Sequence, residues 1–91
     1  MVESQRTARL SNAAGLHARP CHALVKTAQA FQSELRVSCE GREVNGKSIL
    51  ELMTLCAPCD AELTFRARGT DAEALVSALA ALVEGGFGEH P

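Results

Sequence analysis

The spacing of apolar positions changes several times along this chain, and each change predicts an element. Gln5 to Leu10 (QRTARL) alternates loosely and predicts a first strand. Asn12 to Gly15 break that pattern. From Ala18 onward Cys21, Leu24, Val25, Ala28 and Phe31 fall at helical spacing, with Pro20 in the first turn, where a missing N–H costs nothing. An amphipathic helix therefore begins at or just after His17. Glu34 to Ser38 (ELRVS) alternates again, Glu40-Gly41-Arg42 reads as a tight turn, and Glu43-Val44 as a short return strand, together a hairpin. Ser48 with Glu51 three residues on forms a capping-box pattern opening a short helix through about Leu55, which Pro58 stops. Ala61 to Arg68 (AELTFRAR) sets Ala, Leu, Phe and Ala against Glu, Thr and Arg, a strand with one buried face. Thr70 with Glu73, or Asp71, then caps a last helix whose Leu75, Val76, Leu79, Leu82 and Val83 form one stripe, ended by Gly85-Gly86.

The element order is thus β-α-β-β-α-β-α. With helices dispersed among four strands and no run of parallel βαβ units, the economical packing is an α+β fold, an antiparallel sheet with helices on one face. At 91 residues the chain suits one domain, 1–91, with a core spanning about residues 4 to 86. No internal repeat or low-complexity tract divides it.

Composition narrows the partners. A net charge of -2 without a basic stripe argues against binding to nucleic acid through phosphate contacts. No apolar run approaches the roughly 20 residues of a membrane span, and the polar start MVESQRTAR lacks the apolar core of a signal peptide, so the cytoplasm is the expected location. Cys21, Cys39, Cys56 and Cys59 are then expected as reduced thiols rather than a disulfide framework. Cys21 falls on the buried face of the first helix, and Cys39 at a strand end.

The chemistry concentrates in Asn12 to Cys21, NAAGLHARPC. The first amides of a helix have no internal partners and carry a partial positive charge, so a helix start attracts anions. His17 stands at that start. An imidazole with an unperturbed pKa of about 6.5 is largely uncharged near neutrality and can attack phosphorus, giving a phosphoramidate. Arg19 adds a planar fork of donors, and the amides of Ala18 and Arg19 could hold the new charge. A histidine in this position also serves commonly as a cap or a solvated surface residue, and spacing alone leaves both readings open.

The string GLHARP resembles the active-site motif of the HPr phosphocarrier family of the bacterial phosphotransferase system. Val44 to Leu55 (VNGKSILELMTL) is similar to the second signature of that family, and the resemblance covers nearly the whole chain. It implies an open-faced β-sandwich, a four-stranded antiparallel sheet covered by three helices, and a monomeric carrier without a cofactor or turnover of its own. His17 matches the histidine that takes a phosphoryl group on Nδ1 from Enzyme I and passes it to IIA-type proteins, and Arg19 the arginine beside it. Ala18, Leu50 and Met53 match positions used for docking, although Leu50 and Met53 read without the family could equally be core. Ser48, a helix cap on local grounds, matches the serine phosphorylated by HPr kinase/phosphorylase in some branches. The ending ALVEGGFGEHP is similar to nitrogen-branch proteins, whereas NGKSI with Ser48 is similar to the carbohydrate type.

Two features depart from the family. The first is His22, close behind Pro20 and near where a small residue is usual; the second is the Cys56–Cys59 pair, while His90 simply lies next to the C-terminus. Cys56-Ala57-Pro58-Cys59 resembles a thioredoxin-like redox motif, but it follows a helix and precedes a strand, whereas a reactive pair opens a helix. Zinc would need two further ligands, for which Cys39 and a histidine are available. Three readings therefore stand: a phosphoryl carrier, an interaction module on the same fold that does not need His17, and a redox or metal-binding domain built on Cys56 and Cys59.

Overall fold

A computed structural model describes residues 2–88; His90 lies outside them. The elements are β1 (Glu3–Arg9), α1 (Ala18–Ala28), β2 (Glu34–Cys39), β3 (Arg42–Asn45), α2 (Ile49–Met53), β4 (Glu62–Arg68) and α3 (Ala72–Glu84), followed by a short turn of 3-10 helix at Gly86–Gly88. The four strands form one antiparallel sheet in the order β1-β4-β2-β3. Each β-α-β leg thus straddles one intervening strand, and all three helices lie on the same side.

Alternation decides which side. Leu35, Val37 and Cys39 on β2, Val44 on β3, Leu63, Phe65 and Ala67 on β4, and Ala8 on β1 point to the helices and are buried. They meet Leu24, Val25 and Ala28 of α1, Leu52 of α2, and Leu75, Val76, Leu79 and Val83 of α3 in a single core. The opposite face is polar. There Glu3 and Glu34 flank Arg68 in register, and Arg66, set directly across from Arg36, is held by Glu43 at 2.7 Å. Among the described residues no helix is long and apolar enough to cross a membrane.

Several boundaries differ from the sequence expectation for physical reasons. The first strand runs Glu3–Arg9 rather than Gln5 to Leu10: the Leu10 N–H still reaches the Ala61 carbonyl in register at 2.9 Å, but the Leu10 carbonyl is taken by the Asp60 N–H at 2.9 Å and the Ala61 N–H turns to the Pro58 carbonyl, which ends the ladder. α2 ends at Met53, ahead of Leu55 and well before Pro58; Thr54 caps it, its hydroxyl turning back to the Glu51 carbonyl and its own carbonyl taken by Arg42 at 2.7 Å. Only half of the capping box forms. Ser48 Oγ accepts the Glu51 N–H at 3.2 Å, but the Glu51 carboxylate accepts from the Asn45 N–H, while the Ser48 N–H donates to the Asn45 carbonyl. Asp71 is the N-cap residue of α3 but makes no side-chain cap bond. Its carboxylate instead accepts the N–H groups of Gln32 and Ser33 and the Ser33 hydroxyl, tying the α1–β2 loop to the start of α3. Those bonds hold the Asp71 carboxyl below the usual range, the Ser33 hydroxyl contributing most.

Candidate functional site

The loop between β1 and α1 is built around two features. Asn12, buried, donates from Nδ2 to the Gly15 carbonyl at 2.6 Å. Gly15 takes a left-handed φ of 69°, and a Cβ there would collide with the Ala57 carbonyl oxygen and sit 2.9 Å from Pro58 Cα. Only glycine meets both demands without strain. The neighbouring Leu16 N–H donates to the same Ala57 carbonyl at 2.7 Å. The 12–16 loop is thus clipped to the 56–60 loop one residue before His17.

His17 is the N-cap residue of α1, extended at φ -105°, and its side chain makes no cap hydrogen bond. The capping role open on sequence grounds is not the one this imidazole plays. His17 is half-buried. The first intrahelical bond runs from the Cys21 N–H to the His17 carbonyl at 3.0 Å, and Pro20 has no N–H. Helix geometry therefore leaves Ala18 and Arg19 as the two amides ahead of that bond, at the positive end of the α1 dipole. Ala18 and Arg19 are both exposed.

His17 and Arg19 line a solvent-open hollow with Ser11 to Ala14 on one side and Glu84 to Gly88 on the other. The sequence reading missed that second wall; its signal was the glycine pair 85–86, taken only as a helix end. Among the described residues, the buried Asn12 Oδ1 has no hydrogen-bond partner.

The expected docking residues Leu50 and Met53 lie on α2, which packs against α1. Leu50 is 75% and Met53 41% exposed, so neither is the core residue it could have been on sequence grounds. Leu52 between them is the buried one. Ser48 is half-buried at the N-cap of α2, and His22 is exposed on α1. Cys56 is exposed and Cys59 half-buried, both as free thiols, and among the described residues no three His, Cys, Asp or Glu side chains come together to hold a metal ion.

The family model described as "PTS HPr component phosphorylation site" matches residues 4–85. The chain belongs to the HPr family. It is 40% identical over 89 residues to the phosphocarrier protein HPr of Xylella fastidiosa, an alignment covering 98% of each chain. It is 42% identical over 86 residues to the multiphosphoryl transfer protein of Vibrio cholerae, covering 91% of this chain but only 22% of that protein. Among solved structures, HPr-C-His from Thermoanaerobacter tengcongensis superposes with a TM-score of 0.91 at 36% identity, covering 97% of this chain and 99% of the other. The open-faced sandwich read from the sequence is the HPr fold, and the function is that of an HPr phosphocarrier, a carrier in phosphoryl relay rather than a catalyst.

Proposed function

We propose that His17 is the phosphoryl acceptor and that the α1 start is its anion cradle. The Nδ1 lone pair of the neutral ring attacks phosphorus, the new N–P bond forms as the bond to the donor breaks, and the donor leaves with that electron pair. The added charge falls beside the Ala18 and Arg19 amides, donors already oriented by the helix, in a hollow that the Arg19 side chain also lines. The observation that carries this reading is the half-buried His17 at the N-cap of α1, with Arg19 on the same hollow.

In this reading the phosphoryl group comes from Enzyme I, derived from phosphoenolpyruvate, and goes on to IIA-type proteins, all in the cytoplasm, with this chain a monomer. Ala18 on α1 and the exposed Leu50 and Met53 on α2 form the docking rim. Ser48 is a second, regulatory phosphorylation site for HPr kinase/phosphorylase, where charge added at the rim changes partner choice. Incubation with Enzyme I and phosphoenolpyruvate tests the relay. An acid-labile adduct on His17 is expected, with none in His17→Ala and slowed formation in Arg19→Ala. Labelling of His17→Ala at the wild-type rate refutes it.

A further inference from the structure

The Cys56–Cys59 loop is the chemistry-bearing feature that phosphoryl relay leaves unused. Its thiols are accessible, Cys56 exposed and Cys59 half-buried, whereas Cys21 and Cys39 lie in the core. Burial also pushes the Cys21 thiol up to about 11, and burial with the nearby Glu40 raises that of Cys39, so neither competes as a nucleophile. The accessible pair brackets Ala57, whose carbonyl accepts the Leu16 N–H at 2.7 Å and closes against Gly15. Cys59 Sγ points to the Ser11 carbonyl at 4.0 Å, and the Asp60 N–H bonds to the Leu10 carbonyl at 2.9 Å. The segment joining the thiols is therefore the floor beneath the loop that presents His17. It follows a helix rather than opening one, the placement of a substrate for thiol–disulfide exchange and not of an exchange catalyst.

We propose that Cys56 and Cys59 are a reversible disulfide site, oxidised by small disulfides such as oxidised glutathione, and that closing the bridge slows phosphoryl acceptance at His17. One thiolate attacks the small disulfide, forming a mixed disulfide and releasing one small thiolate. The second thiolate displaces the other small thiolate and forms the Cys56–Cys59 bond. The protein loses two electrons and two protons, and the small disulfide becomes two small thiols. A bridge across two residues confines the Cα atoms of both cysteines to about 4.4–6.8 Å and curls the peptide planes between them. The Ala57 peptide is part of that ring, and Cys56 Sγ, which faces the Met53 carbonyl at 3.6 Å in the reduced form, must turn toward Cys59 to close it, so the Leu16–Ala57 bond is the contact the closure disturbs.

The effect on transfer rests on the relay reading; the bridge itself does not. The reduced chain is equilibrated with graded ratios of reduced to oxidised glutathione, quenched, unfolded and alkylated. The four alkylated thiols of the reduced protein are expected to fall to those of Cys21 and Cys39, with the mass of two hydrogens lost. Oxidised protein accepts phosphoryl from Enzyme I about fivefold more slowly, the equivalent of one neutral hydrogen bond, recovers with dithiothreitol, and Cys56→Ser is insensitive to oxidant. Full alkylation at every ratio, or a stable glutathione adduct in place of the bridge, overturns the site. Equal transfer rates in the two forms overturn the coupling. If the reduced wild type accepts no phosphoryl group, the relay reading fails, and the mass measurement still decides the bridge.

Discussion

Replacing Gly15 by alanine tests whether the histidine loop is truly seated on the 56–60 loop. Two costs apply at that position. The left-handed φ of 69° penalises any Cβ by about 1–2 kcal/mol. The new Cβ also meets backbone, with Pro58 C at 2.8 Å and Cα at 2.9 Å, so no side-chain rotation relieves it and the loops must part. Parting them breaks the Leu16–Ala57 hydrogen bond, about 1 kcal/mol, and loosens the packing of the buried Ala57. Alanine returns about 0.4–1 kcal/mol by narrowing the unfolded ensemble. The net loss is about 2 kcal/mol, at about 4–8 °C in Tm for each kcal/mol in a domain of this length. Gly41 is the matched control. Its φ of 84° carries the same backbone penalty, but a Cβ there meets nothing within 4 Å, so Gly41→Ala should cost only about 1 kcal/mol. Urea denaturation of both variants gives the comparison. Equal losses would mean that the two loops do not press on each other, and the route from Cys56 and Cys59 to His17 would go with them.

Asp71→Asn should remove a pH-dependent share of stability. The carboxyl is depressed in the folded state by its bonds to Ser33 and Gln32, so its contribution is full above the ordinary carboxylate range and fades as pH falls through the folded value. The gap between wild type and variant in urea midpoint should therefore close on acidification from neutrality, and a gap that stays constant down to the acid transition contradicts the assignment. Ser48→Asp separates capping from docking. Aspartate caps as well as serine, so stability should stay within about 0.5 kcal/mol, while phosphorylation of His17 by Enzyme I slows; unchanged kinetics remove Ser48 from the docking rim. Ser48→Ala, by contrast, should cost about 1 kcal/mol through the lost bond to the Glu51 N–H.

What was legible in the sequence was what local chemistry determines. β4 could be read because Leu63, Phe65 and Ala67 alternate with exposed residues on a sheet with one wet face. α1 could be placed because Pro20 tolerates only the first turn and the stripe from Cys21 to Ala28 follows at helical spacing. The helix α2 could be read from its cap, but its buried face could not, because five residues do not define a stripe. With roughly 100° between successive residues, Leu50, Leu52 and Met53 point in three directions, and only packing against α1 selects Leu52 as the buried one. Asp71 was read as a cap because its rivals for the carboxylate, Gln32 and Ser33, are far away in sequence. The seating of Gly15 on Ala57 was invisible for the same reason: glycine signals a left-handed turn, but not which backbone approaches it.

The same long-range contact bears on how a carrier of this kind can be both receptive and quick to release. A site that enclosed the phosphoryl group would hold it; a site with no oriented donors would not attract it. Here Pro20 removes one amide from the helix mouth, leaving those of Ala18 and Arg19, and the hollow beside His17 stays open to solvent. The donors are few but fixed, because Asn12, Gly15 and the Ala57 carbonyl determine where the chain enters the helix. With His17 as the proposed acceptor, retention is set less by the number of contacts than by the angle at which the loop delivers His17 to the first turn. On that proposal a change beneath the loop alters transfer without touching the imidazole, and the contact of Gly15 with Ala57 and Pro58 is where it would act.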